Sequence, residues 1–215
     1  MYIPKINRLN HSDDIVALME EHSFATVVTT DEEGVPFATH MPVLLDKNRG
    51  THGTLISHIA RANPQRDHLA HAQGMDGQEI LVIFTGPHAY ISPSWYAGEF
   101  NVPTWNYMAV HAYGGPRLIE EKERLQEMLT ELVAFHEETL SPEWRVPWSD
   151  ERYTKLIQGI VGFEMEITRL EAKSKLNQNK TVADQEGVIQ ALRDSVDSTN
   201  AQVAVEMSKN LLHAE

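Results

Sequence analysis

Cysteine is absent from these 215 residues, which excludes disulfides, thiolate nucleophiles and thiolate metal sites together and fits a reducing compartment. Long apolar runs are absent too. No stretch of about 18 apolar residues occurs, and the opening MYIPKINRLNHSDD lacks the apolar segment of a secretory leader, so the sequence predicts a cytoplasmic protein without a membrane span. Positive charge is scarce: 18 Lys and Arg against 31 Asp and Glu give a formal charge of -13. A surface of that sign repels polyanions unless a basic patch is segregated or a partner supplies one, so direct DNA binding starts at a disadvantage. No Walker loop, dinucleotide fingerprint, GxSxG elbow or HExxH pair is present. Ser92 and Ser94 stand near His88, but in a Pro-rich turn without an elbow they read as turn residues.

Aromatic residues make up only 7% of the chain, yet half of them lie between Phe84 and Tyr113. Rings interleaved with Pro, Gly, His88, Asn106 and His111 suit a flat, conjugated, partly polar ligand, or else a loop that plugs the end of a β-structure. The 11 histidines give no ligand signature: His68 and His71 share a helix face and His52 and His58 a nominal strand face, so they read as structural or surface groups and no metal is expected.

With 41% hydrophobic residues the chain can bury one generous core. Ser12, Asp13 and Asp14 precede Ile15, Leu18 and Met19 at helical spacing, with Ser12 as the cap. Phe24 to Thr30 and Val35 to Leu45 read as a hairpin around Asp31–Gly34, its second strand marked by Pro36 and Pro42 as an edge. A third strand from Thr51 to Ser57 completes an expected antiparallel meander. Asn63-Pro64 starts a helix that ends near Gly74, and 79–85, 89–92 and 108–119 supply further strands. Six strands separated by short turns favour an antiparallel barrel over a parallel sheet. Beyond them come an amphipathic helix from Glu120 to His136, a shorter helix capped by Ser149, and an alternating, half-exposed strand from Phe163 to Leu170. Residues 173–180 form a polar, basic loop before a capping box at Thr181–Asp184 and two last helices. The predicted organisation is a barrel domain over 1–172 and a helical extension over 173–215.

Two places look suited to an anion. In Ser57-His-Ile-Ala-Arg-Ala-Asn63-Pro64 a strand ends in hydrogen-bonding groups just before a helix start, where a phosphate sits well. Lys173, Lys175, Asn177, Gln178, Asn179 and Lys180 form a second, basic cluster.

ISPSWY at 91–96, VPTWNY at 102–107, AVHAYG at 109–114 and HIARANPQ at 58–65 resemble segments of the PaiB-type proteins, described as FMN-binding negative transcriptional regulators. MYIP at the start, KLNQNK at 175–180 and Gly187-Val188 resemble the same family, so the likeness spans nearly the whole chain. The resemblance implies an α+β, mainly β fold: the FMN-binding split barrel, an antiparallel Greek-key barrel shared with pyridoxamine-phosphate oxidases and flavin reductases, with flanking and C-terminal helices. It implies a homodimer with flavin at the interface. Ser57, His58, Arg61 and Asn63 occupy the pattern that holds the FMN phosphate in related barrels. Thr39 and His40 become candidates for the ribityl chain or ring edge, and Trp95, Trp105, Asn106 and His111 for the pocket. Lys175, Gln178 and Asn179 would reach the phosphate or ribityl chain across the dimer interface. The implied function is negative regulation of sporulation and degradative-enzyme synthesis. No helix-turn-helix with a basic recognition face is visible, so regulation without direct DNA contact stays open. An FMN-dependent oxidoreductase and a haem-binding split barrel are the alternatives, and no catalytic residue is assigned.

Overall fold

The computed structural model describes residues 1–75 and 77–212. Its elements follow in the order α1 (Ser12–Glu21), β1 (Phe24–Thr30), β2 (Pro36–Pro42), β3 (Leu44–Asp46), β4 (Thr54–Ala60), α2 (Gln65–Gly74), β5 (Ile80–Ile91), β6 (Thr104–Gly114), β7 (Pro116–Ile119), α3 (Lys122–Glu137), α4 (Glu151–Leu156), β8 (Ile160–Glu166), β9 (Arg169–Lys175), α5 (Val182–Arg193) and α6 (Ser198–Leu212). The strands form a five-stranded sheet, β2-β1-β5-β6-β9, and a four-stranded sheet, β3-β4-β8-β7. This is the mainly antiparallel α+β architecture of the split barrel, although the strands do not close into one continuous barrel. By contacts the chain divides into two compact units, one of Met19–Phe84 and His111–Leu170, the other of Met1–Leu18, Thr85–Val110 and the described part of Glu171–Glu215. The predicted division at 172/173 is a different cut, and residues 213–215 of the predicted extension lie outside the described residues.

In the Met19–Phe84 and His111–Leu170 unit, β1 buries Ala25, Val27 and Thr29 on one face, as its alternation requires. It pairs with β2 from Phe24–Pro42 to Thr30–Pro36. The turn between them is held by Asp31, whose Oδ1 accepts from the amides of Glu33 at 3.0 Å and Val35 at 2.8 Å, while Gly34 takes a φ of +82°. β2 is an edge strand with a proline at each end, where a missing N–H is tolerated. The predicted meander stops here. At Val43 the chain leaves the first sheet, its amide still bonded to the Ser23 carbonyl, and β3 joins the second sheet beside β4.

β4 and β8 are the inner strands of that second sheet and are buried almost throughout, and the predicted strand at 163–170 is divided between β8, which ends at Glu166, and β9, which starts at Arg169, with 163–165 buried and 166, 168 and 169 exposed. Glu164 is satisfied by ion pairs with Arg49 and Arg117 and therefore does not mark solvent. α3 lies on this sheet through Leu125 and Met128, packed with Ile56, Ile119 and Ile157. Gly162 makes that approach possible, since a Cβ there would stand 2.9 Å from Leu125 Cδ2 and from Met128 Sδ. Asp150, not Ser149, caps α4 by accepting from the Arg152 amide.

β5 runs on through both predicted strands, and its part from Thr85 onward belongs to the other unit. Its alternation breaks at Gly86 and Pro87, two successive buried residues, where a Cβ on Gly86 would meet Leu18 Cδ1 at 2.7 Å. The 173–180 stretch is no exposed loop: Lys173, Ser174 and Asn177 are buried and β9 extends to Lys175. Thr181 caps α5 as predicted, its hydroxyl accepting from the Asp184 amide at 3.2 Å. α5 and α6 then bury Val188, Leu192, Val203, Ala204 and Met207. No helix among the described residues is long and apolar enough to cross a membrane.

Candidate functional site

The passage from β4 into α2 carries most of the candidate phosphate groups, and the structure shows how each is employed. Asn63 works at both ends of its amide: Oδ1 accepts from the Gln65 amide at 3.0 Å, and Nδ2 donates to Thr39 Oγ1 at 3.2 Å. One side chain thus caps the helix and ties it to β2. Gln65, fully buried, donates from Nε2 to the Val27 carbonyl at 2.9 Å and to Thr29 Oγ1 at 3.2 Å, fixing α2 on β1. Ser57 donates its hydroxyl to the Pro42 carbonyl at 2.6 Å. Arg61 spends its guanidinium on the Gln158 carbonyl at 3.1 Å, the Ile160 carbonyl at 3.2 Å and Glu120 at 2.9 Å. These two side chains therefore hold β4 to its surroundings.

Two nitrogens in the same passage are left over. His58 Nδ1 and Arg66 Nε are buried and have no hydrogen-bond partner among the described residues. Burial pushes the His58 imidazole below the ordinary histidine range, which keeps it neutral at neutral pH. Among the described residues the ion pair of Arg66 is with Asp67, at 3.9 Å. Sequence reading missed Arg66, because it weighted the cation nearest the strand end. The signal was there: an arginine in the first turn after Asn-Pro, on the helix end that favours negative ligands. His40 is exposed on β2, its Nδ1 2.9 Å from Thr26 Oγ1 and its ring stacked 6.4 Å from Phe24. His111 is half-buried, its ring 6.4 Å from Tyr113.

The second unit holds the indoles and the basic stretch. Trp105 is half-exposed on β6, with His88 and Tyr90 at ring distances of 5.6 and 6.3 Å, so the three form an open aromatic face. Lys175 anchors this strand from Nζ, donating to Thr104 Oγ1 and to the Trp105 carbonyl at 2.6 Å. Burial, with Lys173 close by, holds the Lys175 ammonium below the usual lysine range. Asn106 faces the other way, fully buried, and donates to Met207 Sδ of α6 at 3.3 Å. Trp95 ends the short 3-10 turn Pro93–Trp95, whose start is capped by Ser92. Gln178 folds back on its own turn, accepting from the Leu176 amide at 2.7 Å and donating to the Ser174 carbonyl at 2.5 Å. Asn179 is exposed.

The structure thus brings Thr39, Asn63, His58 and Arg66 to one strand–helix passage, and Lys175 at the end of β9 to the backbone of Trp105 on β6. Ser57 and Arg61 are engaged by protein oxygens around the first passage, and Asn106 faces α6. The residues fit a phosphorylated flavin on one observation, the pair of buried nitrogen atoms in the β4–α2 passage that lack a protein partner. Among the described residues no group of three or more His, Cys, Asp or Glu side chains is placed to hold a metal ion.

Comparison with known proteins gives a concordant result. Residues 1–169 match the sequence profile of the family described as "Putative FMN-binding domain". The chain is 37% identical over 212 residues to the protein named "Protease synthase and sporulation protein PAI 2" of Bacillus subtilis (strain 168), covering 99% of this chain and 98% of that protein. Among solved structures, the FAD and heme binding protein from Mycobacterium smegmatis superposes with a TM-score of 0.58 at 16% identity, covering 79% of this chain and 73% of the other. The flavocytochrome Anf3 from Azotobacter vinelandii superposes with a TM-score of 0.55 at 17% identity, covering 80% and 72%. At that identity these two establish the shared fold.

Proposed function

This chain belongs to the FMN-binding domain family, and we propose that it seats FMN at the β4–α2 passage of a homodimer and acts as a negative regulator of sporulation and degradative-enzyme synthesis. The observation that carries the flavin reading is the pair of buried, unpartnered nitrogens, His58 Nδ1 and Arg66 Nε, beside the capped start of α2. Arg66 supplies the charge for the phosphate, Asn63 and Thr39 line the approach, and the neutral His58 imidazole meets a polar edge. His111, of the same unit, shapes the pocket, and Lys175 and Asn179 reach it from the second copy. When bound, FMN would supply a redox-active ring whose state the protein can report.

The regulatory reading is supported by the PAI 2 relative, at 37% identity over nearly the full length of both chains. With a formal charge of -13 the chain acts on transcription through a partner or a signal and not by gripping DNA itself. One preparation tests this: flavin reconstitution, DNA retention and consumption of reduced nicotinamide are measured side by side. Flavin uptake without DNA retention or turnover is expected. Steady nicotinamide oxidation would favour the oxidoreductase reading, and a Soret band on titration with iron porphyrin would favour haem.

A further inference from the structure

A cleft of about 700 Å³ opens within the unit built from Met1–Leu18, Thr85–Val110 and the C-terminal stretch. Five parts of the chain converge on it: Arg8 from the N-terminal segment, Asp13 and Asp14 from the first turn of α1, Ser174 from β9, Gln185 from α5 and Asn210 from α6. Arg8 has neither an ion pair nor a side-chain hydrogen bond among the described residues, although two carboxylates line the same cleft. Opposite charges held apart around one space call for a ligand that carries both.

Gln185 makes the argument independent of surface charge. Its side chain is only 6% exposed. Nε2 donates to the Lys180 carbonyl at 3.0 Å, which fixes which end of the amide is which, and Oε1 is left buried without a partner among the described residues. A buried acceptor in that state costs on folding unless a donor reaches it. Gln185 is among the residues that line the cleft, so a ligand bound there can supply that donor. Gln178 cannot serve, since both ends of its amide are committed to the backbone of its own turn. Ile6 and Leu9 supply an apolar wall for an aliphatic part.

We propose that this cleft binds a small zwitterion, an amino acid or short peptide, with its carboxylate on Arg8, its ammonium between Asp13 and Asp14, and an N–H donated to Gln185 Oε1. The volume falls in the range of small-molecule sites, about 300–1,000 Å³. Every group named belongs to the unit that contains neither Arg66 nor His58.

Calorimetric titration of the full chain with the standard L-amino acids, singly and at millimolar concentration, tests it, with and without FMN present. At least one should bind saturably. Its N-acetyl derivative, which lacks the ammonium, and its decarboxylated amine should each bind at least tenfold more weakly. Arg8 is exposed, so Arg8→Ala should keep the native circular dichroism and abolish the discrimination between the amino acid and its amine, while Gln185→Leu should weaken both. Absence of saturable binding by every amino acid would overturn the proposal, as would N-acetyl derivatives that bind equally well or an Arg8→Ala protein that still prefers the amino acid.

Discussion

Arg61 and Arg66 lie five positions apart and have opposite employments. Arg61 closes three contacts to protein oxygens, one of them charged. Arg61→Ala should therefore lower stability by about 1–2 kcal/mol and leave FMN affinity within a few-fold, as read by urea denaturation and fluorescence titration. Arg66→Ala should do the reverse, weakening FMN by roughly ten- to a hundredfold, since a charge-assisted contact contributes about 1.5–3 kcal/mol. His58 adds a pH signature. Its folded-state value is depressed by burial, so the unfolded chain binds the proton more readily. Above about pH 6.5 both states are neutral and nothing changes; below it stability falls, until the pH passes under the depressed native value. His58→Gln should flatten that part of the stability profile between pH 7 and 5, measured by chemical denaturation at each pH.

Among the elements, β8 and α5 concentrate the informative strain and charge. Glu164 of β8 is 8% exposed; burial pushes its carboxyl up, but hydrogen bonds and charge from Arg117 and Arg49 outweigh this and hold it below the ordinary range. A depressed carboxylate stabilises above its unfolded value and loses that contribution as pH falls through the native one. Glu164→Gln should cost about 1–3 kcal/mol at neutral pH and blunt the acid transition. Gly187 of α5 sits so close to the Trp95 carbonyl that a Cβ would overlap it. Gly187→Ala should destabilise by about 1–3 kcal/mol and loosen the 3-10 turn, visible as faster amide exchange around Trp95.

Much of this layout was legible in the sequence wherever the cause is local. The Asn63 and Thr181 caps, the Asp31–Gly34 turn and the edge prolines Pro36 and Pro42 follow from residue chemistry within a few positions. What escaped depends on distant partners. Lys173 reads as loop, yet its ammonium finds the Tyr2 carbonyl at 3.1 Å and the Tyr107 ring at 4.9 Å, which lets β9 run on through it. Arg61 looks like an anion ligand until residues 158 and 160 arrive from nearly a hundred positions away. The change of sheet at Val43 has no local mark, because an extended chain is extended in either sheet.

For the whole molecule the acidic charge agrees with the regulation proposed above, which runs through flavin state and a partner and needs no DNA contact. A homodimer is expected by sedimentation. Calorimetric titration with FMN and with riboflavin, which lacks only the phosphate, tests the central claim most directly. The account predicts FMN to bind roughly ten- to a hundredfold more tightly than riboflavin, and Arg66→Ala to remove the difference. Equal affinities for the two flavins, or no FMN binding at all, would contradict it.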